Sequence, residues 1–135
     1  MDLPFPVYLI GLRGLLVLLV LLLLGASFFL NLSLLLREPA PWQVRFFRLI
    51  AGAAVVAFVT ELLVRTLFMG GVGRLHAVYG LLATGILWFV SGLGEGGWFR
   101  RSLSHPPERV GPYFFWASLV GVLLWWRFIE TGIGR

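Results

Sequence analysis

Residues 60–79, reading T-E-L-L-V-R-T-L-F-M-G-G-V-G-R-L-H-A-V-Y, place Glu61, Arg65, Arg74, His76 and Tyr79 about one tight turn in an otherwise oily chain. Guanidiniums hold negative charge, while an imidazole or a carboxylate exchanges protons near neutrality. Such groups are costly at membrane depth, so several of them where a hydrophobic segment turns back mark a candidate functional site. Glu61 and Arg65 stand at i, i+4, and Arg127 and Glu130 at i, i+3, both spacings that bring opposite charges together on a helix. An anionic or quinone-like ligand would suit this set of residues.

No catalytic signature accompanies them. Walker A, H-E-x-x-H, G-x-S-x-G and the EF-hand pattern are all missing from the sequence. Gly92-Leu-Gly94-Glu-Gly96-Gly97 fits G-x-G-x-x-G literally, but it follows an apolar helix and has no βαβ unit around it, so these glycines read as a helix stop. With no cysteine, thiolate catalysis, disulfides, iron–sulfur clusters and c-type haem attachment are excluded. Haem b ligation is restricted by topology. His76 and His105 fall on opposite sides of the bilayer, which leaves a single His76 ligand or ligation shared between protomers.

The elements that must position these residues are membrane helices. With 59% hydrophobic residues, 13% charged and a mean hydropathy of +0.94, the chain lacks the polar surface that a water-soluble domain of this size presents. The net charge of +5 is the balance of 11 basic residues, all arginine, against 6 acidic ones, and the arginines stand singly or in pairs at the ends of apolar runs. That is an anchoring pattern and not a nucleic-acid patch. The expected partners are the lipid bilayer and either further copies of the chain or other subunits of a membrane complex.

Four spans are predicted near 14–36, 48–69, 75–93 and 112–130, forming a single all-α domain over residues 1–135, an integral membrane four-helix up-down bundle. The segment before Gly14, with Pro4, Pro6, Gly11 and Arg13, either lies in the interface or extends a tilted first helix. Residues 15–24 resemble the apolar part of a signal peptide, but the early n-region ahead of Arg13 carries Asp2 and no arginine, and the apolar run continues to Leu36. Pro39 and Pro41 separate the first two spans. The breakers of residues 70–73 make the shortest loop, so spans two and three form a helical hairpin. Small residues supply close-approach faces: Ala53 and Ala57 ahead of Glu61, Gly80 and Thr84 after His76, and Ala117 with Gly121.

Alternating spans gather Arg13, Glu61, Arg65, Arg74, His76, Tyr79, Arg127 and Glu130 in one half of the bundle. Glu61, Arg65 and His76 are expected to form one buried polar site, with Arg13 and Arg127 at its mouth and Tyr79 and Glu130 close by. If Arg65 and Arg127 are counted as partly intramembrane, the first and third connectors hold more arginine than the opposite side, which puts both termini outside the cytoplasm of an inner-membrane protein. Three functional classes fit: a non-enzymatic structural or accessory subunit of a membrane assembly, a quinone- or haem-binding redox protein, and an oligomeric proton-linked transporter or channel protomer.

Overall fold

A computed structural model, described over residues 5–94, 97–105 and 109–132, has five α-helices and no strand among those residues. They are α1 (Phe5–Leu30), α2 (Pro41–Phe68), α3 (Arg74–Ser91), α4 (Trp98–Ser102) and α5 (Gly111–Gly132), with a 3-10 turn at Leu32–Leu35. All but α4 are long and apolar enough to cross a membrane, as in a small multi-pass membrane protein. α1 packs on α2, α2 on α3 and α3 most extensively on α5, which closes the ring against α1. This is the expected up-down bundle.

The third and fourth spans lie within two residues of their predicted limits, whereas the first two are displaced toward the N-terminus. Nothing in the Gly11–Arg13 region breaks α1, which extends the span upstream as a helix; Pro4 lies outside the described residues. At its other end α1 stops at Leu30 and does not continue to residue 36. The Asn31 side chain donates to Ser27 Oγ (3.1 Å) and Ser118 Oγ (2.9 Å), and the backbone then tightens through Leu34 N–H to Asn31 O (3.0 Å). An amide inside a span must find partners within the protein, and here it fastens α1 to α5. α2 begins at Pro41 because the Gln43 carboxamide bridges the connector, accepting Ala40 N–H at 2.9 Å and donating to Leu30 O at 3.2 Å. The short α4 in the third connector was not foreseen. Gly97 caps its start and donates its N–H to Gly94 O at 2.8 Å, and Gly92 caps the end of α3, so the glycines there do end α3 and turn the chain; Glu95 and Gly96 of the literal dinucleotide motif lie outside the described residues.

α2 buries Phe47, Ile50, Ala51, Ala54, Ala57, Phe58, Glu61, Val64 and Arg65, a three-four spacing that faces the bundle axis. The inward stripe is centred on Ala54 and Ala57; Ala53 and Thr60 are only half-buried. At the end near the first and third connectors Phe47 stacks on Phe114 at 4.9 Å between centroids. At the other end Gly70 and Gly71 take φ values of 85° and 126°, and Gly71 N–H returns to Arg65 O at 2.9 Å. Residues with a Cβ rarely adopt such angles, so the tight reversal from α2 to α3 depends on this pair.

Candidate functional site

Glu61 sits about 10 Å inside the end of α2, given the 1.5 Å rise per residue, and only 1% of its side chain is exposed. Three cationic or potentially cationic groups converge on it, each from a different helix. Arg65 is one turn along α2 and its Nε donates to Glu61 Oε1. Arg13 of α1 donates from Nη1 to both carboxylate oxygens, at 3.1 and 3.2 Å. His76 of α3 brings Nε2 to within 3.1 Å of Oε1.

The fourth helix completes the centre through its backbone. Gly132 lies in the last described turn of α5, and its carbonyl faces the centre. Arg65 Nη2 donates to it at 2.9 Å. A Cβ at residue 132 would lie 2.7 Å from that Nη2 and 2.6 Å from His76 Cε1, so glycine lets both side chains sit this close to the helix backbone. His76 Nδ1 lies 2.7 Å from Phe128 O and 3.2 Å from Thr131 Oγ1. A carbonyl can only accept, so Nδ1 carries hydrogen, and the Nε2–Glu61 contact attracts only if a second proton lies between those two atoms. The His76 ring also stacks on Phe128 (4.2 Å, 7° between planes), which leans on Trp125 at 4.8 Å.

The sequence-predicted residues thus divide into two groups. Glu61, Arg65 and His76 meet directly, and Arg13 joins them as a ligand of the carboxylate. Arg127, Glu130 and Tyr79 form a separate surface group: Arg127 Nη1 is 3.4 Å from Glu130 Oε2 and its guanidinium lies 5.5 Å over the Tyr79 ring. Toward this end of α5 the buried positions are Trp125, Phe128 and Gly132, and that phase turns Arg127 and Glu130 outward. Arg74 is exposed as well.

The His76 arrangement also tests the haem reading. Both ring nitrogens are engaged, one by Phe128 O and one by Glu61, so as it stands the ring has none to offer an iron. His105 is an exposed residue of the connector between α4 and α5, at the other end of the bundle. Among the described residues, the two histidines lie too far apart to meet on one iron within this chain.

Three features were missed from the sequence. The acceptors Phe128 O and Gly132 O are backbone atoms and carry no side-chain signal. Thr131, one turn beyond Arg127, was the readable hint of a polar helix end. The buried Ser27–Asn31–Ser118 group was legible in part, as an i, i+4 polar pair within a leucine run.

Fold and site together define a class: a small four-span helical membrane protein with a buried ionic centre to which every span contributes. No family model, no curated protein and no solved structure matches the chain.

Proposed function

We propose that this chain is a non-enzymatic structural or accessory subunit of a membrane assembly, and that the Glu61 centre is a lock that fixes the order and rotation of its four spans. The observation that carries this reading is that the Glu61 carboxylate finds its partners within the chain. Glu61 is met by Arg13, Arg65 and His76, while His76 and Arg65 reach the last turn of α5. A ring of charge-assisted bonds of this kind specifies one register among helices that lipid alone would hold loosely. Assembly is supported by outward grooves that no span fills. One, of about 290 Å³, is lined by Val55, Leu81, Thr84, Gly85 and Trp88, and a Cβ at Gly85 would meet nothing within 4 Å. Small residues at a lipid-facing groove let another helix approach closely. Extracted from its membrane in native lipid discs, the chain is expected in particles holding more than one protein chain; a homogeneous population of single 15.1 kDa bundles refutes the assembly role.

A second reading, a quinone-like or anionic ligand at the same centre, has one observation in its favour. Arg13 Nε is buried with no acceptor among the described residues, and a ligand oxygen would satisfy it. Saturable quenching of tryptophan fluorescence by a short-chain quinone, abolished in Arg13→Gln, would replace the lock with this reading.

In the same proposal the termini face the non-cytoplasmic side of an inner membrane, on the arginine balance of the connectors. Cysteine at Ser104 is expected to react with a membrane-impermeant maleimide from the cytoplasmic face and cysteine at Gly71 from the opposite face. The reverse pattern inverts the topology and leaves the helix contacts unaffected.

A further inference from the structure

At the end of the bundle opposite Glu61, the first two turns of α2 and the third connector enclose a cavity of about 600 Å³ lined by Arg45, Arg48 and Arg100 together with Glu38, Pro39 and Val44. Among the described lining residues the carboxylate is that of Glu38, and it is already engaged. Glu38 Oε2 accepts Val110 N–H at 3.0 Å, and Arg109 Nε lies 3.9 Å from its other oxygen. Arg48 is held in place by donation from Nε to Ser91 O at 3.2 Å. Three guanidiniums thus border one cavity beside the N-terminus of a 28-residue helix, the positive end of its dipole.

Arg48 also lines a second space. An apolar groove of about 430 Å³ descends between α1 and α2, bounded by Leu16, Leu19, Leu49, Gly52 and Val56. From Arg48 to Val56 it covers about 12 Å of helix at 1.5 Å per residue. A Cβ at Gly52 would meet nothing within 4 Å, so the floor of the groove is open to a neighbour. A basic cavity at interface depth, joined through one arginine to a lipid-facing apolar groove, matches an amphiphile with an anionic head and a hydrocarbon tail.

We infer that this end of the bundle binds an anionic phospholipid, its phosphate among Arg45, Arg48 and Arg100 and one acyl chain along the α1–α2 groove. The shared chemistry is a phosphate oxyanion, which free phosphate also supplies, so head and tail must be tested separately. Purified full-length protein in neutral detergent is titrated with dioleoyl phosphatidylglycerol, dioleoyl phosphatidylcholine or inorganic phosphate, and bound lipid is counted by native mass spectrometry. Phosphatidylglycerol is expected to bind about tenfold more tightly than phosphatidylcholine and to resist a large excess of inorganic phosphate. The double variant R45Q/R100Q should bring phosphatidylglycerol down to the phosphatidylcholine level. Gly52→Leu, which fills the groove from an open position, should weaken phosphatidylglycerol binding with all arginines in place. Equal binding of the two lipids, or a preference unchanged in R45Q/R100Q, overturns the site. Full displacement by inorganic phosphate, or indifference to Gly52→Leu, overturns the lipid as its occupant and leaves a free-phosphate site.

Discussion

Glu61→Gln should lower the stability of the protein by about 3–5 kcal/mol, the loss typical of removing one partner from a buried ion pair. Gln keeps the shape of the side chain but removes the charge on which Arg13, Arg65 and His76 converge. Arg65, 4% exposed, would then be a buried cation facing a neutral amide. Thermal unfolding in detergent, followed by helical circular dichroism, reads the loss directly. A change below about 1 kcal/mol would show that solvent reaches the pair, since that is the range of exposed ion pairs. The surface pair gives the internal comparison. Glu130→Gln removes an exposed partner of Arg127 and should stay within that smaller range.

Trp125→Ala comes next, with an expected loss of about 3–5 kcal/mol for truncating a large buried aromatic. Trp125 is fully buried, packs on Phe128, and its Nε1 donates to Val17 O at 2.8 Å across to α1. Trp125→Phe keeps an aromatic ring but removes that hydrogen bond together with part of the indole, so it should lose more than the roughly 0.5–1.5 kcal/mol of the hydrogen bond and less than the alanine variant. Because Phe128 carries the stacked His76 ring, the alanine variant should also loosen the ionic centre. The double variant of Glu61→Gln with Trp125→Ala is therefore expected to lose measurably less than the sum of the single losses. Strict additivity in thermal unfolding would separate the aromatic layer from the charges above it.

The spans were legible because twenty-residue apolar runs have few alternatives in a bilayer. The meeting of Glu61, Arg65 and His76 followed from two constraints, alternation of spans and a loop too short to let α2 and α3 separate. Alternation sets depth, however, and does not set rotation. That is why Arg127 and Glu130, correctly placed in the same half, sit on the outer face of α5, and why Arg13, expected at the rim, reaches the carboxylate itself. Helix limits shifted at two buried amides: Gln43, bonded to backbone, starts α2 seven residues before the predicted limit, and α1 stops six residues short, just before Asn31, whose side chain is bonded to Ser27 and Ser118. The carbonyls of Phe128 and Gly132 lay beyond any pattern of residue types, since every residue has one and only the fold selects which are used.

The wiring of Glu61 also bears on how the chain enters its membrane. Synthesis runs from the N-terminus, so α1 with Arg13 is available before Glu61 arrives in α2, and Arg65 follows four residues later. A lone ionised side chain at the centre of a span costs roughly 2.5–3.5 kcal/mol on insertion scales. Here the carboxylate meets cations already present or immediately following, His76 arrives with the hairpin, and the carbonyls of α5 come last to cover Arg65 and His76. From α2 onward each arriving span meets a partner already in place or immediately following, so the bundle can be built in the order in which it is made.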